Sequence, residues 1–193
     1  MDPGPKDPST PLIEPARPEP DLLVCLAAIG RALEEEFQPR VFLDDLSTVL
    51  GPLVPHDRLS IGYLANDRRT VSIFAEHGPS AFLPETDRYT TDRERPVRLP
   101  VADSPVVDVF DGTVLCAADL VTDPRFAAYR DQLQAAALWS GIVVPLRVGT
   151  RIIGALGVMS RLANTYGPVH VERMRTLGRL IGPFIEPIAQ LYR

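Results

Sequence analysis

From Ser140 to Met159 the chain reads SGIVVPLRVGTRIIGALGVM, two apolar runs separated by Gly149-Thr150. Ile142, Val143, Val144, Leu146 and Val148 form the first run, and Ile152, Ile153, Ala155, Leu156, Val158 and Met159 the second. Their β-branched side chains favour extended backbone, and Gly149-Thr150 can supply the positive φ of a tight hairpin. Neither run alternates apolar with polar residues, so both faces of this hairpin are expected to be covered. A chain with such a hairpin must build a sheet around it, with structure on each side. Gly141, Gly154 and Gly157 interrupt the strands; glycine inside a strand marks a bulge or the close approach of a backbone or ligand.

The 193 residues suit one domain with some extra length, or two small ones, and 45% hydrophobic content is enough for a core. With a net charge of −5 the chain as a whole is not built to hold a polyanion, and no nucleic-acid partner is expected. No apolar run approaches the roughly 18 residues of a membrane span, and the N-terminus lacks the basic start and apolar run of a secretory signal. The sequence therefore reads as cytoplasmic, with no membrane partner. Cys25 and Cys116 lie in apolar segments, make no disulfide framework, and are expected to be buried, inert thiols.

Residues 1–20 are rich in proline and poor in apolar groups, so they read as an extended or disordered tail ahead of a domain spanning 21–193. Asp21 is a suitable N-cap for LLVCLAAIGRALEEEF, where Leu22, Leu26, Ile29, Leu33 and Phe37 share one helical face. A second helix is expected from Arg40 to about Leu50, ended by Gly51-Pro52. A hairpin follows, with Leu59–Leu64 and Val71–Ala75 on either side of a polar turn. Residues 78–97 read as a long charged loop, within which Arg93 and Arg95 are placed either in solvent or over an anionic ligand. Next come a short strand near Arg98–Val101, a brief helix at Val106–Phe110 started by Ser104-Pro105, a strand at Val114–Ala117, and a helix started by Asp123-Pro124.

The last helix is expected from Val169 to the end. Met174, Leu177, Ile181, Phe184, Ile188 and Leu191 recur at spacings of three and four, which is an a/d seam. Pro183 and Pro187 fall inside it and predict a kink, so a dimer stalk and a packing helix both remain open.

The order of these elements resembles a GAF domain. PHDRLSIGYL is similar to that family's first strand. LPVADSPVVDVFDGTVLCAADLVTDPRF is similar to its middle segment, and SGIVVPLRVGTRIIGALGVMS to its closing hairpin, where a V-P-L strand precedes an I-G-x-L strand. The resemblance spans about Leu22 to Arg193. It implies an α+β fold: a central antiparallel sheet, terminal helices on one face, and a pocket on the other roofed by loops and short helices. It further implies a small-molecule-sensing regulatory domain that signals through its terminal helices to an output domain or partner protein. The alternatives are a ligand-free dimerisation module, or a tetrapyrrole (bilin or haem) sensor.

If Leu59, Ile61 and Tyr63 face the terminal helices, then Ser60, Gly62 and Leu64 face the roof, joined there by Gly141, Val143, Gly157 and Met159. Asp103 and Trp139 complete the candidate ligand set, with Ser140 as a further polar group and Phe110 and Phe126 as roof residues. Such a lining favours a flat or hydrophobic ligand. Its identity, and that of any cofactor, is unknown. A homodimer would use Leu22, Leu26, Ile29 and Leu33 of the first helix with Leu177, Ile181, Phe184, Ile188 and Leu191 of the last.

Catalysis is not expected. The cysteines that sulfoxide-reducing members of the resembled family place around the pocket have no counterpart near Val106 or at Leu138-Trp139-Ser140. Cys116 is followed by alanine rather than the histidine of bilin-binding members. His56, His77 and His170 have no second ligand at i+2 to i+4 that repeats a known metal-site pattern; Glu76-His77 and His170-x-Glu172 are lone pairs.

Overall fold

The computed structural model describes residues 39–79, 97–102 and 104–191, together with Ala27 and Gly30, both of which are helical. The proline-rich tail, most of the expected first helix with Leu22, Cys25, Leu26, Ile29 and Leu33, Arg93 and Arg95 of the expected long loop, and Asp103 lie outside the described residues.

Helix α1 spans Pro39–Leu50. The hairpin after it pairs β1 (Arg58–Leu64) with β2 (Thr70–His77), and β3 (Val97–Pro100) adds to the far side of β2. A 3₁₀ turn, η1, occupies Val107–Asp111 and closes on Gly112 at φ 103°, whose N–H reaches the carbonyls of Asp108 and Val109. Strand β4 is Leu115–Ala117, followed by a second 3₁₀ turn, η2 (Pro124–Tyr129), and helix α2 (Arg130–Ala135). The central hairpin is β5 (Ser140–Val148) and β6 (Arg151–Ser160), and helix α3 runs from Pro168 to Leu191.

Among the described residues the sheet has six antiparallel strands in the order β3-β2-β1-β6-β5-β4. The expected α+β architecture is present, and the apolar hairpin sits inside the sheet with both faces covered. On one face Leu59, Ile61, Tyr63, Ile142, Val144, Leu146, Leu156 and Val158 are buried against α1 and α3. On the other Leu64, Val71, Val143, Ala155 and Met159 pack with Val109, Phe110, Phe126 and Leu133 from the short helices. Each fully buried aliphatic side chain contributes about 1.5–3 kcal/mol, so these two layers supply the main driving force for folding.

Two one-residue bulges break the alternation. In β2 the register passes from Ile61↔Ala75 to Gly62↔Ile73, so position 74 is extra. In β6 it passes from Leu146↔Gly154 to Arg147↔Ile152, so position 153 is extra. Each inverts which residues of its strand face which layer on the far side of the bulge.

Three expectations are corrected. The single helix after Asp123 is instead a 3₁₀ turn followed by one and a half turns of α-helix. Asp123 accepts a hydrogen bond from the Arg125 N–H, and the chain leaves α2 through Ala137 at φ 53°. On α3 the buried series is Met174, Leu177, Ile181, Ile185 and Ile188; Phe184 is 37% exposed and off that line. Leu177, Ile181 and Ile188 therefore pack within the chain's own core, on the sheet. The helix is continuous through Pro183 and Pro187. Finally, Cys116 is exposed, because on the edge strand β4 only Leu115 and Ala117 face the core. Among the described residues no helix is long and apolar enough to cross a membrane.

Candidate functional site

On the face away from α1 and α3 the sheet floors a cavity of about 70 Å³. Strands β1, β5 and β6 contribute Ser60, Gly62, Val143, Ala155, Gly157 and Met159 to it, and β2 contributes Val71 and Ile73. Ser104, Pro105, Val106, Phe110 and Phe126 close it from above. Space exists there because Gly157 has no side chain. A Cβ added to it would sit 3.3 Å from Ser60 Oγ and 3.4 Å from Val143 Cγ2. The Ser104 hydroxyl accepts the Val106 N–H at 3.3 Å and so helps start the turn that carries Val106 over the cavity.

Of the nine residues expected from the sequence, Ser60, Gly62, Val143, Gly157 and Met159 line this cavity. Leu64 lies on the same side of the sheet but is buried in the apolar layer beside it. At Gly141 the space is already filled, with Met159 Cγ 3.3 Å and Leu120 Cδ2 3.5 Å from an added Cβ. Trp139 is partly buried against the same layer without reaching the lining. Asp103 lies outside the described residues. Ser140 is corrected: strand alternation turns it to the opposite face, where its hydroxyl donates to the Leu162 carbonyl at 2.6 Å.

The polar end of the cavity is one the sequence reading did not anticipate. Arg58, only 1% exposed, stands on β1 directly opposite Met159 of β6 and forms an ion pair with Glu76, also 1% exposed. Its Nη1 donates to Ser60 Oγ at 3.3 Å and approaches Met159 Sδ at 3.6 Å. The bulge in β2 makes the pair possible. Without the extra residue, Glu76 would fall on the α1 side, since Val71 and Ile73 face the cavity and strand residues alternate. With it, Glu76 sits opposite Ser60 and diagonal to Arg58. Burial pushes the Arg58 guanidinium down to about 9, so it stays charged at neutral pH. The signal available in the sequence was a charge at the start of one apolar strand and another near the end of its hairpin partner. The bulge that joins them shows only as a break in alternation at Ile73-Phe74-Ala75, which does not name a partner.

The histidines serve the fold. His56 Nδ1 lies 2.8 Å from the Val54 carbonyl and Nε2 2.9 Å from Ser47 Oγ, an arrangement that fits the neutral ring with its proton on Nδ1. His77 joins Asp44 of α1 at 2.7 Å. His170 Nδ1 accepts the Gly167 N–H at 3.1 Å, beside the start of α3. Among the described residues no group of three metal-ligating side chains comes together.

This geometry offers a small, mostly carbon-lined space with a buried guanidinium–carboxylate pair at one end. It suits binding of an apolar or flat molecule with one polar group.

The family model of the GAF domain matches residues 38–183. No curated protein matches the chain in sequence. Among solved structures, the chain is similar to the GAF domain from a phosphoenolpyruvate-protein phosphotransferase of Coxiella burnetii, with a TM-score of 0.67 and 14% identity, over 88% of this chain and 95% of that one. It is also similar to free methionine-R-sulfoxide reductase from Neisseria meningitidis in complex with its substrate, at TM-score 0.62 and 17% identity, over 86% and 89%. A GAF domain/HD domain protein from Geobacter sulfurreducens gives 0.58 and 20% identity, over 77% and 92%. At these identities the likeness establishes the fold.

Proposed function

The chain belongs to the GAF domain family, and from that premise we propose that it is a regulatory domain that senses a small molecule and is not itself an enzyme. One observation carries this reading. The strands that floor the cavity with Ser60, Val143 and Gly157 hold α1 and α3 with the alternate residues, among them Ile61, Ile142, Val144, Leu156 and Val158. A ligand that shifts β5 or β6 on one face thereby changes the seat of α3 on the other. Differential affinity for two arrangements of that helix would bias them, and α3 would pass the bias to a partner subunit or an output domain.

The lining supports binding over catalysis: carbon side chains, two serine hydroxyls, and a guanidinium already engaged with a carboxylate. Its about 70 Å³ is well under the roughly 300–1,000 Å³ of drug-sized sites, so the ligand has few heavy atoms or lifts the roof on entry. The same small volume favours the second reading, a dimerisation module with a nearly filled core.

Native mass spectrometry of the protein purified from cells, with a denatured run beside it, separates the two. Extra mass lost on denaturation supports the sensor and gives the ligand's mass. A clean dimer that no metabolite mixture loads supports the module. A visible absorption band in the same sample would instead favour a tetrapyrrole.

A further inference from the structure

A second cleft, sharing no lining residue with the cavity, lies where the turn of the central hairpin meets α3. It measures about 300 Å³, and Arg147 of β5, Arg175 and Arg179 of α3, Thr150 of the turn and Gly112 after η1 all border it. We propose that this cleft binds the phosphate group of a small molecule.

The backbone brings the three arginines together. Gly178 and Gly182 press α3 against the carbonyls of Pro145 and Arg147, closer than any side chain would allow. Arg175 and Arg179, one turn apart on that helix, are thereby carried to the strand. Arg147 is placed from the other side. Its Nη2 donates to the Gly112 carbonyl at 3.4 Å and occupies the space a side chain at 112 would need, 2.4 Å from an added Cβ.

Among the described residues the charge in the cleft is unbalanced. In a chain of net charge −5, three arginines border one opening. Arg175 meets Glu172 at 2.7 Å on the exposed surface of the helix, a pair that offsets little. Among the described residues, Arg147 and Arg179 form no ion pair. Three cations around one opening repel, and a multiply charged anion relieves that repulsion where a single carboxylate leaves a surplus. Guanidinium groups bind phosphate oxygens through paired N–H donors, and Thr150 adds a hydroxyl at the rim. The volume falls at the lower end of small-molecule sites, so the phosphate's organic remainder extends into solvent. Because the cleft joins the hairpin to α3, its occupancy would clamp the same helix that the cavity reaches from the opposite face.

The test is calorimetric titration of the full chain with inorganic pyrophosphate, with ionic strength held constant by chloride. One saturable site per chain is expected, weakened at least tenfold in R175A/R179A and in R179E alone, and unchanged in R161A. Circular dichroism confirms that each variant is folded, and the single exposed substitution keeps the test usable if the double variant is not. Flotation with phosphatidylcholine vesicles carrying a phosphoinositide separates the two sources of phosphate. Capture that the arginine variants lose identifies a lipid headgroup, whereas pyrophosphate binding without capture identifies a free metabolite. Heats no larger than those of chloride alone, or equal affinity in R179E, would overturn the proposal.

Discussion

Gly182 lies against the backbone of Arg147 with no room for a side chain: a Cβ added to it would sit 2.0 Å from the Arg147 carbonyl oxygen and 2.7 Å from its carbonyl carbon. One turn earlier, Gly178 meets the Pro145 carbonyl at 2.7 Å by the same measure. The pair lets α3 approach β5 at backbone distance, and the ion pair between Arg151 and Glu186 fastens the helix one turn further on. Helix propensity alone favours Ala over Gly by about 1 kcal/mol, so these glycines are kept by contact.

Gly182→Ala should therefore destabilise the protein despite its gain in propensity. The atom it strikes is backbone and cannot move aside, so α3 must lift, at an overpacking cost of about 1–3 kcal/mol. Urea denaturation of G182A beside G167A reads this directly. Gly167 has nothing within 4 Å of an added Cβ and a negative φ, so G167A should stay within about 0.5 kcal/mol of the parent. An unchanged midpoint for G182A would show that the helix does not sit where it is described.

Arg58 and Glu76 should behave as a buried pair. Removing one partner leaves an uncompensated charge in an apolar surrounding, at about 3–5 kcal/mol. Replacing both with hydrophobic residues of similar size is often nearly neutral. R58M and E76L should each lower the denaturation midpoint strongly, and R58M/E76L should recover most of the loss. Additive losses in the double variant would mean that the two side chains do not act on each other.

How far the sequence was legible follows from these same residues. The central hairpin was readable because β-branched runs and a glycine turn each point to the same structure, and Gly149 does adopt φ 59°. Alternation then sorted Ser60, Gly62, Val143, Gly157 and Met159 onto the cavity side. It gave no hint of Glu76, because one extra residue in β2 inverts the faces: Thr70, Val71, Ser72 and Ile73 alternate, the alternation breaks at Phe74-Ala75, and a break of that kind does not by itself say that a residue is extra. Periodicity failed at Phe184. A rule of threes and fours permits Phe184 or Ile185, and Gly178 and Gly182 rotate the contact face toward Ile185. The Gly-x-x-x-Gly spacing was visible in the sequence; what it packs against was not.

Acid should weaken the fold through His56. Burial is the main cause that lowers its pKa below the ordinary 6.5, with the charge of His77 adding to it, while the Val54 carbonyl and Asp57 oppose. The unfolded chain then takes up a proton more readily than the folded one. The stabilisation is complete above pH 6.5 and is lost as the pH falls through the lowered value. H56Q should flatten the dependence of Tm on pH between 8 and 5.5, as followed by thermal melts. An unaltered slope would assign the acid sensitivity to other groups.

The cavity itself can be filled or enlarged from one position. Val143 lines it at 6% exposure, and its strand neighbours Ile142 and Val144 face α3 instead. Val143→Ala deletes two buried methyl groups and should cost about 2 kcal/mol. Val143→Phe should place its ring in the space a ligand needs, with a smaller change in stability because the volume is already there. If the protein is a sensor, V143F purified from cells should lose the extra mass that the parent carries in native mass spectrometry. V143A should keep that mass or accept a larger ligand. Retention of the same mass by V143F would move the ligand out of the cavity, and with it the route from β5 to α3 on which the regulatory reading stands.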